Sequence, residues 1–78
     1  MTNNEREQAK AKCVEMQKFC KNCARLNHSF VKRGNGTYIS LTNVTYSGEI
    51  FTKEILVHNF ILLSDVGMKR FADSYLNR

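Results

Sequence analysis

The sequence predicts an α+β domain in the order α-β-β-β-α, with a long N-terminal amphipathic helix, a small three-stranded antiparallel sheet and a short C-terminal helix. Three observations predict it. Apolar residues recur at helical spacing across residues 4–27. Turn residues at Gly34-Asn35-Gly36 and Ser47-Gly48 separate stretches rich in β-branched and aromatic side chains. Apolar residues then return to three- and four-residue spacing from Met68 onward.

At about 100° per residue, Ala9, Cys13, Met16, Phe19, Cys20, Cys23, Ala24 and Leu26 fall within an arc of about 160°, the width of a buried helix face. Arg6, Lys10, Lys18, Lys21 and Arg25 lie opposite as a basic stripe, with Val14 the lone apolar side chain inside it and Glu7 the one acid that interrupts it. Asn4 reads as the N-cap and Glu7, three residues on, as its capping-box partner. Lys21 and Arg25 suit the negative end of the helix dipole, and Asn27 tolerates the left-handed conformation that closes helices. Over residues 4–27 the helix would be about 36 Å long, whereas a compact chain of this length is roughly 30 Å across. The helix is therefore expected to overhang, with its first turns either free or packed against another chain, most simply a second copy in a two-fold homodimer.

Residues 29–33 and 38–46 read as the arms of a hairpin around Gly34-Asn35-Gly36, all three of which accept positive φ. Tyr38-Ile39-Ser40-Leu41 alternates, but Val44 and Tyr46 alternate in the opposite phase. That change predicts a bulge near Asn43 or a strand that turns over there. Residues 49–57 form the next strand, with Phe51, Ile55 and Val57 in one phase and Lys53 anomalous among them. His58-Asn59 reads as a tight turn before Phe60-Ile61-Leu62-Leu63, which is apolar on both faces like a central covered strand; a helix over 53–63 fits the spacing almost as well. Ser64 or Asp65 caps the last helix, whose Met68, Phe71, Ala72, Tyr75 and Leu76 close the core. Tyr38, Tyr46 and Tyr75 are assigned to core packing rather than to surface stacking. The chain is read as a single domain, 1–78, divided into helix (1–27), sheet (28–63) and C-terminal helix (64–78).

At 78 residues the chain sits near the size where one core supplies only a few kcal/mol and a metal or partner subunit often helps. The net charge of +5 is uneven: residues 1–33 hold eight Lys or Arg against three acids, and residues 34–78 hold four against four. A basic front on a neutral back points to an anionic partner, the alternative being a merely solvated face. No apolar run approaches the roughly 20 residues of a membrane span, and the polar N-terminus is the opposite of a signal peptide. Three cysteines make no closed disulfide framework, so a reducing, cytoplasmic setting is expected. The acceptor triplets that start at Asn27, Asn35 and Asn43 are then read as chance.

The order helix, three strands, helix is similar to that of the double-stranded-RNA-binding domain, and Gly67-Met68-Lys69-Arg70-Phe71-Ala72 resembles the basic start of that family's second helix. The resemblance implies that Lys69 and Arg70 grip phosphates. As a rival, Ile39-Ser40-Leu41-Thr42-Asn43 with Gly48-Glu49-Ile50 and Phe60-Ile61-Leu62-Leu63 resembles the first signature of Sm-like RNA-binding proteins. The chain is assigned to neither family.

Cys20-Lys21-Asn22-Cys23 followed by His28 has the spacing of the first three ligands of a zinc knuckle, but Arg33 stands where the fourth would fall. Cys13 or His58 would have to complete a tetrahedral set. Thiols on a core-facing stripe otherwise behave as small hydrophobes, so no cofactor is expected, zinc on Cys13, Cys20, Cys23 and His28 being the minor alternative. His28 is read as a partner of the helix C-terminus and His58 as a turn residue. Cys23 and His28 as nucleophile and base lack a third orienting group, and four scattered glycines make no phosphate loop. No catalytic residue is assigned. The expectation is a small non-enzymatic binding or regulatory protein that uses Arg6, Lys10, Val14, Lys18, Lys21 and Arg25, with Lys69 and Arg70, on RNA or DNA. The alternative is a protein-interaction module or inhibitor that docks the same face on an acidic protein surface, where Val14 would be the apolar centre of a charged rim.

Overall fold

A computed structural model describes residues 2–77. Helix α1 (Asn3–Gln17) leads through a turn into strands β1 (Cys23–Arg33), β2 (Gly36–Thr45) and β3 (Ile50–Leu56). Helix α2 (Val57–Ile61), helix α3 (Asp65–Phe71) and one π-helical turn (Ala72–Leu76) follow. The strands form one antiparallel sheet in the order β1-β2-β3, as the α-β-β-β-α reading requires.

The first helix is shorter than its periodicity suggests. Its N-cap is Thr2, not Asn4: the Thr2 hydroxyl accepts from the Glu5 N–H at 3.1 Å, and Glu5 accepts from the Thr2 N–H at 3.2 Å. Thr-x-x-Glu satisfies the box two residues earlier, and the Glu5 carboxyl is held below the usual carboxylate range by that Thr2 backbone N–H. Glu7 instead faces Lys10 at 3.7 Å. At the other end, Lys18, Phe19 and Cys20 donate to the carbonyls of Glu15, Met16 and Gln17, so the ladder tightens to three-residue spacing. Asn22 then adopts φ 54° and reverses the chain. Asn27, the expected closing residue, lies inside β1 opposite Thr42. At 15 residues α1 is about 22 Å long, shorter than the 35 Å long axis of the molecule. The expected overhang, and with it the motive for helix-to-helix dimer packing, is absent.

β1 starts at Cys23 rather than residue 29, because Leu26, His28 and Phe30 alternate and all of 25–33 pairs with β2. The two-residue loop Gly34-Asn35 closes the hairpin, and Gly36 carries φ 136° with Leu56 Cδ2 3.2 Å from where a Cβ would stand. β2 has neither a bulge nor a reversal. Ile39, Leu41, Asn43 and Thr45 all point inward, and Val44 and Tyr46 lie in the outward phase; the alternation is continuous but its last two inward residues are polar. The irregularity sits on β1, between Cys23 and Arg25. Lys53 lies in the inward phase of edge strand β3 between Phe51 and Ile55, where its ammonium reaches 4.5 Å from the Tyr75 ring.

Residues 57–61 are helix, not a turn followed by a strand, so the His58-Asn59 turn and the covered strand at 60–63 do not form. Val57 and Phe60, three apart, bury on one side while Leu62 is 68% exposed. The Lys12 ammonium binds the Leu63 carbonyl at 2.8 Å and ties α1 to the end of α2. Ser64 caps α3 by accepting from the Gly67 N–H at 3.1 Å.

The helices cover one face of the sheet: α1 lies over β1, α2 over β2 and β3, and the π turn over β3. Between the layers sit Ala9, Cys13 and Met16 from α1, Ile39 and Leu41 from β2, Val57 and Phe60 from α2, and Met68, Phe71, Ala72 and Leu76 from the C-terminal segment. The tyrosines are not in this core. Tyr38 is half-buried on the open sheet face beneath Arg33, Tyr46 is 76% exposed, and Tyr75 stands edge-on to Phe71 at the rim. Among the described residues no helix is long and apolar enough to cross a membrane.

Asn43 is fully buried; its Nδ2 donates to the Leu76 carbonyl at 2.6 Å and its Oδ1 has no partner among the described residues. This amide ties the centre of the sheet to the C-terminal turn. Asn43→Ala strips a buried carbonyl of its donor, so we expect a loss of about 1–3 kcal/mol, read as a lowered urea midpoint with unchanged m-value. An unchanged midpoint would mean that water replaces the amide without cost.

Candidate nucleic-acid interface

α1 and β1 run antiparallel, joined by the turn at 18–22, so the start of the helix meets the end of the strand. There the Arg6 guanidinium lies 5.2 Å over the Phe30 ring. Arg6, Phe30, Lys32 and Thr37 line an open cleft of about 280 Å³. The strand register explains the set: Phe30 and Lys32 share the helix-side phase of β1, and Thr37 is the cross-strand partner of Lys32. His28, in the same phase, meets Phe30 edge-on at 5.8 Å. Along the exposed side of α1, Lys10 and Val14 follow Arg6 at four-residue intervals, which stacks them on one face, and Lys18 comes four residues later at the C-cap. β1 is an edge strand with one row of unpaired backbone groups, and the cleft lies between it and the start of α1.

The expected basic stripe is divided. Arg6, Lys10 and Val14 share the helix face, with Val14 67% exposed and Lys18 following at the C-cap. Lys21 stands in the turn beyond the helix, its N–H donating to Asn77 Oδ1 at 2.6 Å. Arg25 pairs across from Val44 and so belongs to the open sheet face, on the far side of the sheet from the helices. The loss of helix after Gln17 is the cause. Lys69 is engaged by Asp73 at 3.1 Å on the C-terminal segment, and Arg70 is exposed beside it. Asp73 is held below the usual carboxylate range first by Asn77 and then by Lys69. Other cations are occupied by the fold: Arg33 grips Glu54 with contacts of 2.7 and 2.8 Å, Lys12 holds the Leu63 carbonyl, and Lys53 covers Tyr75. Lys32 is the site residue that helical periodicity misses. Its signal is the alternation of Phe30 and Lys32, legible only once residues 23–33 are taken as strand.

The candidate zinc set does not assemble. Cys13 is buried beneath α1, and burial pushes its thiol up to about 12. His28 stands on β1 against Phe30 rather than at a helix end. Among the described residues no three His, Cys, Asp or Glu side chains converge. Cys20 and Cys23 remain together in the turn. Burial, and Cys23 beside it, push the Cys20 thiol up to about 11, and burial also raises Cys23. Such thiols carry little thiolate at neutral pH, which weakens the pairing of Cys23 with His28 as nucleophile and base. Of the segments that resemble the two RNA-binding families, Gly67–Ala72 is helical, whereas Phe60 and Ile61 are helix where the Sm-like signature needs strand.

Compared with protein-family models, with curated proteins and with solved structures, the chain matches none.

Proposed function

We propose that the protein is a small non-enzymatic binding protein that takes a single-stranded stretch of RNA or DNA along the groove between α1 and β1. The observation that carries this reading is the placement of Arg6 over Phe30 with Lys32 in the same cleft. Proteins that hold single strands combine a cationic track for phosphates with a ring on which a base stacks. Here Arg6 covers the ring in the free protein, and a base can take its place while the guanidinium moves to the neighbouring phosphate. Lys10 and Lys18 extend the track along α1. The Glu7–Lys10 pair, at 3.7 Å between exposed side chains, is weak enough to yield. Three free thiols fit a reducing, cytoplasmic setting.

The test is fluorescence anisotropy with a labelled single-stranded oligonucleotide of mixed sequence at several salt concentrations. Four cations on four phosphates predict a log-log salt slope of about −3 for a single strand. Absence of binding at low salt, or binding indifferent to salt, overturns the proposal.

Val14 favours a second reading. An apolar side chain 67% exposed among Arg6, Lys10 and Lys18 suits an acidic protein surface with an apolar centre, and phosphate contact makes no use of it. Val14→Ser leaves oligonucleotide binding unchanged under the first reading, whereas under the second it weakens capture of the protein partner.

A further inference from the structure

We propose that Cys20 and Cys23 form a two-coordinate site for a soft monovalent metal ion, copper(I), built into the turn between α1 and β1. The turn itself supplies the geometry. Cys20 and Cys23 are its first and fourth residues, and Asn22 in third place carries φ 54°, the requirement of a tight reversal that brings its two ends side by side. The two side chains lie near enough for each thiol to perturb the other. Both side chains are half-buried at an otherwise exposed turn, so a metal ion reaches them without unfolding the domain.

The turn is also held from outside. Asn77 accepts from the Lys21 N–H at 2.6 Å and donates to the Phe19 carbonyl at 2.8 Å, and the Tyr46 N–H donates to the Asn22 carbonyl at 3.1 Å. The C-terminus and the end of β2 thus fix the loop that carries the thiols, and little ordering is left for a ligand to impose. The Cys20 thiol presently donates to the Met16 carbonyl at 3.5 Å, a long contact that the metal replaces.

Ligand chemistry selects the ion. Tetrahedral zinc needs four ligands, or three and a water, and among the described residues no third His, Cys, Asp or Glu joins the pair. Copper(I) is soft, prefers thiolate sulfur and is satisfied by two of them in a near-linear arrangement. On binding, two S–H bonds break and two Cu–S bonds form; both protons pass to solvent and copper keeps its oxidation state. The bis-thiolate complex carries one negative charge, and Lys18 and Lys21, both exposed at the turn, oppose it. The site is separate from the Arg6–Phe30 cleft and stands whether or not nucleic acid binds there.

The experiment is an anaerobic titration of the fully reduced protein with copper(I) bicinchoninate, a coloured competitor. One equivalent is expected to pass from the chelator to the protein, with a thiolate-to-copper band in the ultraviolet and a sedimenting mass unchanged from the metal-free protein. Cys20→Ser and Cys23→Ser should each abolish the transfer, and Cys13→Ser should leave it intact. Iodoacetamide mapping on the unmodified chain is independent of any variant's folding: bound copper should protect Cys20 and Cys23. The proposal is overturned if the chelator keeps its copper, if the Cys20→Ser variant binds as the native chain does, if one ion bridges two chains through four thiolates, or if the thiols of the copper-loaded chain alkylate freely.

Discussion

Phe60→Ala is expected to lower the melting temperature by about 15–30 °C, the largest effect of any single substitution in the domain. Phe60 is the bulkiest of the fully buried side chains. It enters the core from a five-residue helix that has only Val57 as a buried companion. Truncating a buried phenylalanine costs about 3–5 kcal/mol once the cavity is included. A domain of this length has a total of about 4–12 kcal/mol, so the variant approaches the unfolding threshold at room temperature. The companion substitution makes the result diagnostic. In a strand, Phe60 and Leu62 would share one face and both truncations would be severe. In the helix, Leu62 points to solvent at 68% exposure, and Leu62→Ala should stay within about 0.5 kcal/mol of the native chain. Equal losses for the two variants, read by thermal melts followed with circular dichroism, would restore the strand.

That ambiguity illustrates which parts of the fold the residues disclose. Hairpins were legible because their determinants are local: Gly34-Asn35-Gly36 and Ser47-Gly48 sit where the chain reverses, and Gly36 does so at a φ that other residues avoid. The capped last helix was equally local, with Ser64 bonding to Gly67 as its type and position suggest. The end of the first helix was not. Asn22 and Asn27 are both competent to close a helix, and residues 19–26 show a helical spacing that coexists with the two-residue alternation of Leu26, His28 and Phe30. What decides between them is β2, whose inward residues need a paired neighbour; that is a tertiary cause, invisible to any window of ten residues. Asn43 hides the continuity of β2 for a related reason. A buried amide donating to the Leu76 carbonyl looks, in sequence, like a break in the apolar phase, although the strand runs on undisturbed. The candidate site suffered from the same boundary. With the helix carried to residue 27, Arg25 joined the stripe and Lys32 stayed outside it, whereas the register places Lys32 beside Arg6 and sends Arg25 to the far side of the sheet.

Phe30→Leu is expected to weaken single-strand binding by about 1–3 kcal/mol, the worth of one stacked base, or roughly 5- to 150-fold. Leucine keeps an apolar side chain against the core while it removes the ring face, so thermal melting should change little and the salt slope should not change at all, because no cation is lost. Arg6→Gln together with Lys32→Gln should do the reverse: each cation removed from a single-strand site flattens the slope by about 0.7, or about 1.4 for the pair. Arg25→Gln with Arg70→Gln serves as the control of equal charge. Under the uninterrupted helical stripe Arg25 would count as much as Arg6; in the folded chain it lies on the opposite sheet face, so this pair should alter only the weak, long-range attraction that salt screens within about 10 Å at 0.1 M. If the control pair flattens the slope as far as Arg6 and Lys32 do, net charge rather than the groove governs binding, and the cleft over Phe30 loses its assigned role. If Phe30→Leu binds with native affinity while both charge pairs behave as expected, phosphates are held but no base is stacked, and the groove is a cationic track without an aromatic platform.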